Sequence, residues 1–247
     1  MKKTTVFLAG ILSCLTISAI ADSKVSVYYP GQQEISVVSH AANLSQLVAS
    51  PALQGKTWWP GTVISERQAT AVAEQHYQQL MARLKAWAAE SEGEKAATIN
   101  NVIQQLSAIK VTGRLEATLD PDWLRMRPEL NRRLAGEYSV YTLPKPHSVT
   151  LLGAITGSGK VSWQPGGDTR DYLDGHDRLA GADRNIAVII SPSGEITQAP
   201  VAYWNHRHVE VEPGSIIYIG FSSWSLPGAY EDLNQQIISV LTHRIPD

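Results

Sequence analysis

Cysteine is almost missing from this 247-residue sequence: Cys14 is the only one. It falls in the opening apolar run, so the rest of the chain carries no thiol. That excludes a disulfide framework, a cysteine nucleophile and a thiolate metal site from the body of the protein. Long apolar runs are also scarce. After VFLAGILSCLTISAIA, which ends at Ala21, no stretch approaches the roughly 18 uninterrupted apolar residues that a membrane-spanning helix needs. A dominant charge is missing as well. Without Lys2 and Lys3 the 21 basic residues fall to 19, against 23 acidic ones, which argues against nucleic acid or an anionic membrane surface as the main partner.

Lys2 and Lys3, the short apolar run and Ala19-Ile20-Ala21 have the layout of a secretory signal peptide, read here as residues 1–21. A competing reading takes Ile11-Leu12-Ser13-Cys14 as a lipoprotein site that anchors the chain through Cys14. The apolar segment beyond Cys14 and the complete Ala-x-Ala site downstream favour simple secretion.

Strand signals follow. Residues 24–38 alternate apolar and polar around Pro30-Gly31, as a hairpin does, and a short helix is expected from Ala41 to Ala49. Ser65 and Gln68 have the form of a capping box opening a run without Gly or Pro as far as Glu92. Val72, His76, Leu80, Leu84 and Trp87 make a helical stripe, and Ile99, Val102, Ile103 and Leu106 resume it after Gly93. The spacing predicts a helical hairpin over 65–108. IKVTGRLEATLD and EYSVYTLP read as strands, and Pro144–Pro146 as a domain boundary. The second half repeats the grammar of the first: a hairpin (SVTLLGAI, KVSW), a short helix opened by Asp168–Leu173, then strands in NIAVIISP, EITQAPVAYW and EPGSIIYIGF. The chain closes with an amphipathic helix whose apolar face is Tyr230, Leu233, Ile237, Val240 and Leu241. Such a helix covers a core, or, at a terminus, serves assembly or membrane contact.

GAITGSGK, residues 153–160, invites comparison with a phosphate-binding loop. Ala154 stands where that loop needs glycine, Val161 where it needs the magnesium-binding hydroxyl, and KVSW continues as strand. Gly157 and Gly159 are read as a tight hairpin turn.

SVTLLGAITGSGK, DYLDGHDRLAGADR, Ser193-Gly194 and EPGSIIYIG resemble the soluble-ligand-binding β-grasp (SLBB) domains of polysaccharide-export proteins such as the outer-membrane exporter Wza. KTWWPGTVISE, IKVTGR, LAGADR, APVAYWNHRHVE, PGSIIYIG and the closing RIP resemble the capsule-biosynthesis GfcC family over essentially the whole exported chain. The resemblance implies an α+β fold with two β-grasp domains, 22–146 and 147–224. It places the helical hairpin in the first and the C-terminal amphipathic helix at 225–247. It also implies a periplasmic place beside the machinery that assembles or exports capsule or exopolysaccharide, with glycan or export proteins as partners. No family activity, cofactor or metal is implied.

Four residues are candidates for ligand binding. Arg114 follows Gly113, and a guanidinium beside a closely approaching backbone could grip a carboxylate or phosphate; the alternative is an arginine paired across a domain interface. Trp58, beside Trp59, could stack on a sugar ring, although neighbouring residues of an extended segment face opposite ways and core packing is favoured. Trp204 and His206 complete a cleft proposed to lie between the domains. His206 and His208 would share a face in an extended segment, but His-x-His without a third ligand is a weak zinc signal, and a hydrogen-bonded loop is favoured. Asp168, Asp171, Asp174 and Asp177 lack the spacing of a calcium loop, and capping accounts for Asp168. No catalytic constellation emerges. The expected function is a non-catalytic accessory protein, the alternative being a polysaccharide-modifying enzyme with its site in the interdomain cleft.

Overall fold

The computed structural model describes residues 23–55 and 57–246. The expected signal peptide, and the competing lipidation reading at Cys14, fall outside the described residues.

Two mixed sheets organise an α+β fold. In the first, β1 (Ser23–Tyr28), β2 (Ile35–Ser39), β3 (Val63–Glu66) and β4 (Gly136–Tyr141) lie in the order β2-β1-β4-β3. In the second, β5 (Ser148–Gly153), β6 (Gly159–Ser162), β7 (Ile186–Ile190), β8 (Ile196–Pro200) and β9 (Ile216–Ile219) lie in the order β6-β5-β9-β7-β8. Each sheet centres on a parallel pair, β1 with β4 and β5 with β9, flanked by antiparallel neighbours. Without β8 the two orders are the same, so the repeated sequence grammar is a repeated topology. Gly157 and Gly159, with φ of 62° and 137°, make the β5–β6 turn in conformations that side chains disfavour.

The first sheet buries alternate residues, Val25, Val27 and Val140, against Leu44 and Leu47 of helix α1 (Leu44–Val48) and Leu124 of α4 (Pro121–Met126). The Asn43 side chain caps α1 by accepting the Gln46 N–H at 3.0 Å.

The helical hairpin is present as α2 (Arg67–Ala89) and α3 (Gly93–Ser107), but it is entered differently from the expected capping box. Ser65 is a strand residue whose hydroxyl donates to the Ser139 carbonyl, so it is not free to cap. Glu66 precedes the first turn, and Thr70 Oγ1 donates to its carbonyl at 2.8 Å. Inserted between β3 and β4 in sequence, the hairpin packs on the second sheet. Leu80, Leu84, Trp87, Ile99, Val102 and Leu106 share a core with Leu151, Tyr218 and Phe221, and Trp87 meets Phe221 edge-on at 4.7 Å. Val72 and His76 do not belong to the buried stripe: Val72 is 52% exposed, because α2 reaches the second sheet only from its third turn onward.

IKVTGRLEATLD is not a strand. It runs as an irregular ribbon with isolated pairings of Ser65 to Arg114 and Val111 to Arg244. Its hydrogen bonds go to different elements: Thr112 N–H to the His243 carbonyl, Gly113 N–H to Thr70 Oγ1 and Leu115 N–H to the Ile64 carbonyl. A segment stitching three neighbours cannot also build a continuous ladder with one.

The terminal helix α5 (Leu233–Thr242) folds back on the second sheet. Leu233, Ile237 and Leu241 are fully buried, and Arg83 of α2 pairs with Asp232 at 2.8 Å. Beyond it the buried Arg244 donates to the carbonyls of Leu241, Ile190, Ser191 and Gly214. The apolar face of α5 is therefore occupied by its own chain. Among the described residues no helix is long and apolar enough to cross a membrane.

Candidate functional site

Strand directions bring four connections to one end of the second sheet. The parallel β5 and β9 end there, β8 ends there, and the antiparallel β7 begins there. The connections that meet are 154–158, 176–185, 201–209 and 220–226. Backbone bonds knit them: Leu179 N–H to the Ala154 carbonyl, Asp183 to Gly220, Ser222 to Gly181 and Val201 to Asn185.

The 201–209 connection carries Tyr203, Trp204, His206 and His208. Its first turn is closed by the Asn205 side chain, which accepts the Ala202 N–H at 3.0 Å. Its return is held by Asp168, a buried carboxylate. Asp168 Oδ1 accepts the Val209 N–H at 2.9 Å, and Oδ2 lies 2.5 Å from His206 Nε2. His208 Nδ1 stands 4.0 Å from Oδ1. Burial alone would push this carboxyl up; the Val209 N–H and His206 outweigh it and hold Asp168 below the usual carboxylate range. Thr169 adds two more bonds, its N–H and hydroxyl both donating to the Val209 carbonyl. Asp168 is thus a loop anchor and not a helix cap. The turn that follows has no side-chain cap, and Asp171 instead accepts the Asp168 N–H. Among the described residues no group of three or more His, Cys, Asp or Glu side chains is arranged to hold a metal ion.

Anchoring the loop base leaves its tip outside. Tyr203 is 91% exposed and Trp204 76% exposed, and Trp224 on the neighbouring 220–226 connection is 98% exposed. Large apolar rings held at one end of a sheet, without a core to cover, are the kind of surface that meets a ligand or partner.

Arg114 lies elsewhere. Its Nη2 donates to the Pro192 carbonyl at 2.5 Å and its Nη1 to the Thr242 carbonyl at 3.4 Å. Pro192 belongs to the β7–β8 turn, at the opposite end of the sheet from Trp204, with roughly 15 Å of strand between them at about 3.3 Å per residue. Burial lowers the guanidinium's pKa to about 10. Among the described residues no carboxylate or other side chain hydrogen-bonds to it. The backbone approach that Gly113 permits is to helix α2: a Cβ there would lie 2.1 Å from Thr70 N. The four candidates are therefore not one cleft. Trp204 and His206 share a loop, Arg114 sits between the two halves of the chain, and Trp58 is half-buried over Gly61 beside Leu143 in the first half.

Residues 21–145 match the family described as capsule biosynthesis GfcC, N-terminal, and residues 157–246 match capsule biosynthesis GfcC, C-terminal. The chain belongs to the capsule biosynthesis GfcC family. It is 43% identical over 246 residues to "Uncharacterized protein YjbG" of Escherichia coli strain K12, covering 100% of this chain and 99% of that protein. GfcC membership implies a role in capsule assembly. The two matched regions follow the two sheets, and the gap between them spans β5, on whose far side the β5–β6 turn begins. Within this GfcC chain, Tyr203 and Trp224 escaped the sequence reading, since an exposed aromatic and a core aromatic have the same letter. Two adjacent aromatics just past a strand, in APVAYW, were the available signal.

Proposed function

We propose that this protein is a periplasmic accessory protein of capsule or exopolysaccharide assembly or export, built of two β-grasp domains of the soluble-ligand-binding type. It binds glycan through the loop end of the second domain. The observation that carries this reading is the exposed Tyr203–Trp204 pair on a loop anchored by Asp168. An aromatic face stacks on the C–H face of a sugar ring, and a loop held at its base presents that face with little ordering left to lose on binding. The parallel central pair repeated in both sheets supports the β-grasp assignment, and the leader-like residues 1–21 support export. The same surface is available to components of the export machinery.

The test is titration of the purified protein, without residues 1–21, with capsular oligosaccharides, followed by tryptophan fluorescence and calorimetry. Trp204→Ala is expected to weaken binding about tenfold, near the 1.4 kcal/mol upper range of an aromatic contact, with the melting temperature unchanged. Equal affinity for wild type, Tyr203→Ala and Trp204→Ala rejects the reading.

A further inference from the structure

Beside the aromatic loop, between segment 170–178, Arg184 and Val201, lies a pocket of about 550 Å3. Three guanidiniums line it, those of Arg170, Arg178 and Arg184, together with His176 and the exposed carboxylates of Asp174 and Asp177.

The backbone under Arg178 is rigid. Ile155 and Arg178 form an antiparallel bridge, Thr156 N–H donates to the Asp177 carbonyl, and the Asp177 N–H donates to Thr156 Oγ1. His176 is clasped by the β5–β6 turn: its Nδ1–H donates to the Thr156 carbonyl at 2.8 Å, and a Cβ at Gly157 would come within 2.8 Å of that ring. The glycine-rich turn is therefore part of the pocket's support.

The guanidiniums themselves are unspent. Among the described residues none of the three donates a hydrogen bond or sits in a close ion pair, whereas Arg83, Arg114 and Arg244 are all committed to carbonyls or a carboxylate. Arg178 carries the strongest signal. Its Nε is buried without a hydrogen-bond partner, and burial lowers its pKa against the opposing charge of Asp183. A buried donor left unpaired costs about 1–3 kcal/mol, so such groups in folded proteins are ordinarily satisfied by a protein group, an ordered water or a ligand, and here it opens on a pocket large enough for a ligand. A planar fork of donors matches the two oxygens of a carboxylate or those of a phosphate. Asp174 and Asp177 at the mouth are acceptors suited to sugar hydroxyls, and Trp204 follows Val201 of the pocket wall by three residues.

We infer that this pocket binds the carboxylate or phosphate group of an acidic saccharide, with Arg178 as its central donor and Arg170 and Arg184 completing the charge. This deepens the glycan-binding reading and rests on it, because the saccharide is supplied by the adjacent aromatic surface.

Calorimetric titration of the full exported chain separates the sources of the anion. The probes are a glucuronate-containing tetrasaccharide, its carboxyl-reduced counterpart, glucose 1-phosphate and inorganic phosphate. One acidic saccharide is expected to bind at least tenfold more tightly than the carboxyl-reduced tetrasaccharide. Arg178→Gln and the exposed Arg184→Gln should each remove at least fivefold of that preference without changing the melting temperature by more than a few degrees. Whether the uronate or the sugar phosphate is preferred identifies the group. Affinities for the glucuronate tetrasaccharide and for glucose 1-phosphate that both fail to exceed that for the carboxyl-reduced tetrasaccharide overturn the anion site while leaving glycan binding intact, provided Trp204→Ala still weakens binding of the tetrasaccharides. Inorganic phosphate binding as tightly as glucose 1-phosphate overturns the saccharide part. Failure of every anionic probe to bind, or indifference to both arginine substitutions, overturns the proposal outright.

Discussion

Arg114 Nη2 lies 2.5 Å from the carbonyl oxygen of Pro192, joining the ribbon that follows the helical hairpin to the β7–β8 turn of the second sheet. A second donor reaches the Thr242 carbonyl at the end of α5. Removing this side chain strands two carbonyls at the junction of the halves. Arg114→Ala is expected to cost about 2 kcal/mol, since a hydrogen bond from a charged donor is worth about 1.5–3 kcal/mol. Urea denaturation measures it. A change below 0.5 kcal/mol, combined with lost glycan affinity, would transfer Arg114 from the junction to the binding site.

Gly113, its neighbour, tolerates no side chain. Even alanine would set its Cβ 2.1 Å from Thr70 N and 2.2 Å from the Ala69 carbonyl carbon, both backbone atoms of α2's first turn. Neither can rotate aside, so ribbon and helix have to separate. Gly113→Ala should cost about 3 kcal/mol, the upper range for overpacking, and lower the melting temperature by roughly 6–12 °C at 2–4 °C per kcal/mol. Thermal melting by circular dichroism checks this, with Gly228→Ala, where a Cβ meets nothing within 4 Å, as the control.

The Asp168 anchor makes a prediction about pH. Its folded pKa lies below the ordinary value of 3.8, so the unfolded chain binds the proton first on acidification. The ionised anchor's contribution is complete above about pH 4 and is lost as pH falls through the lowered folded value. Asp168→Asn should melt below wild type at pH 7, and the two curves should converge on acidification toward pH 2. A gap that persists unchanged to low pH would mean that the charge of Asp168 plays no part in holding the loop.

Helix α5 is expected to behave as core and not as a detachable arm. Ile237 is fully buried between the second sheet and the helical hairpin. Ile237→Ala should cost about 3 kcal/mol, within the 2–5 kcal/mol range for large-to-small core substitutions. Amide exchange along α5 should be as slow as in β9. Fast exchange in α5 alone would show that the helix is released from the sheet.

Much of this architecture is written locally. Period-two alternation located β1, β2 and β4; period 3.6 located α2, α3 and α5; Gly157 and Gly159 marked the β5–β6 turn. Such signals depend on a residue and its near neighbours, so one sequence suffices to read them. Tertiary structure decided what each surface meets. Apolar spacing shows that α2 has a buried face, and cannot show that the face lies on the second sheet. Ile109–Asp120 has strand composition, yet its hydrogen bonds are divided among three elements and no ladder forms. Arg114 ends on carbonyls far along the chain, while Asp168 and His206, separated by 38 residues, meet at 2.5 Å. The buried Arg178 Nε without a hydrogen-bond partner is the same kind of fact: an arginine's letter fixes its charge, and only the packing around it determines which of its donors are already used.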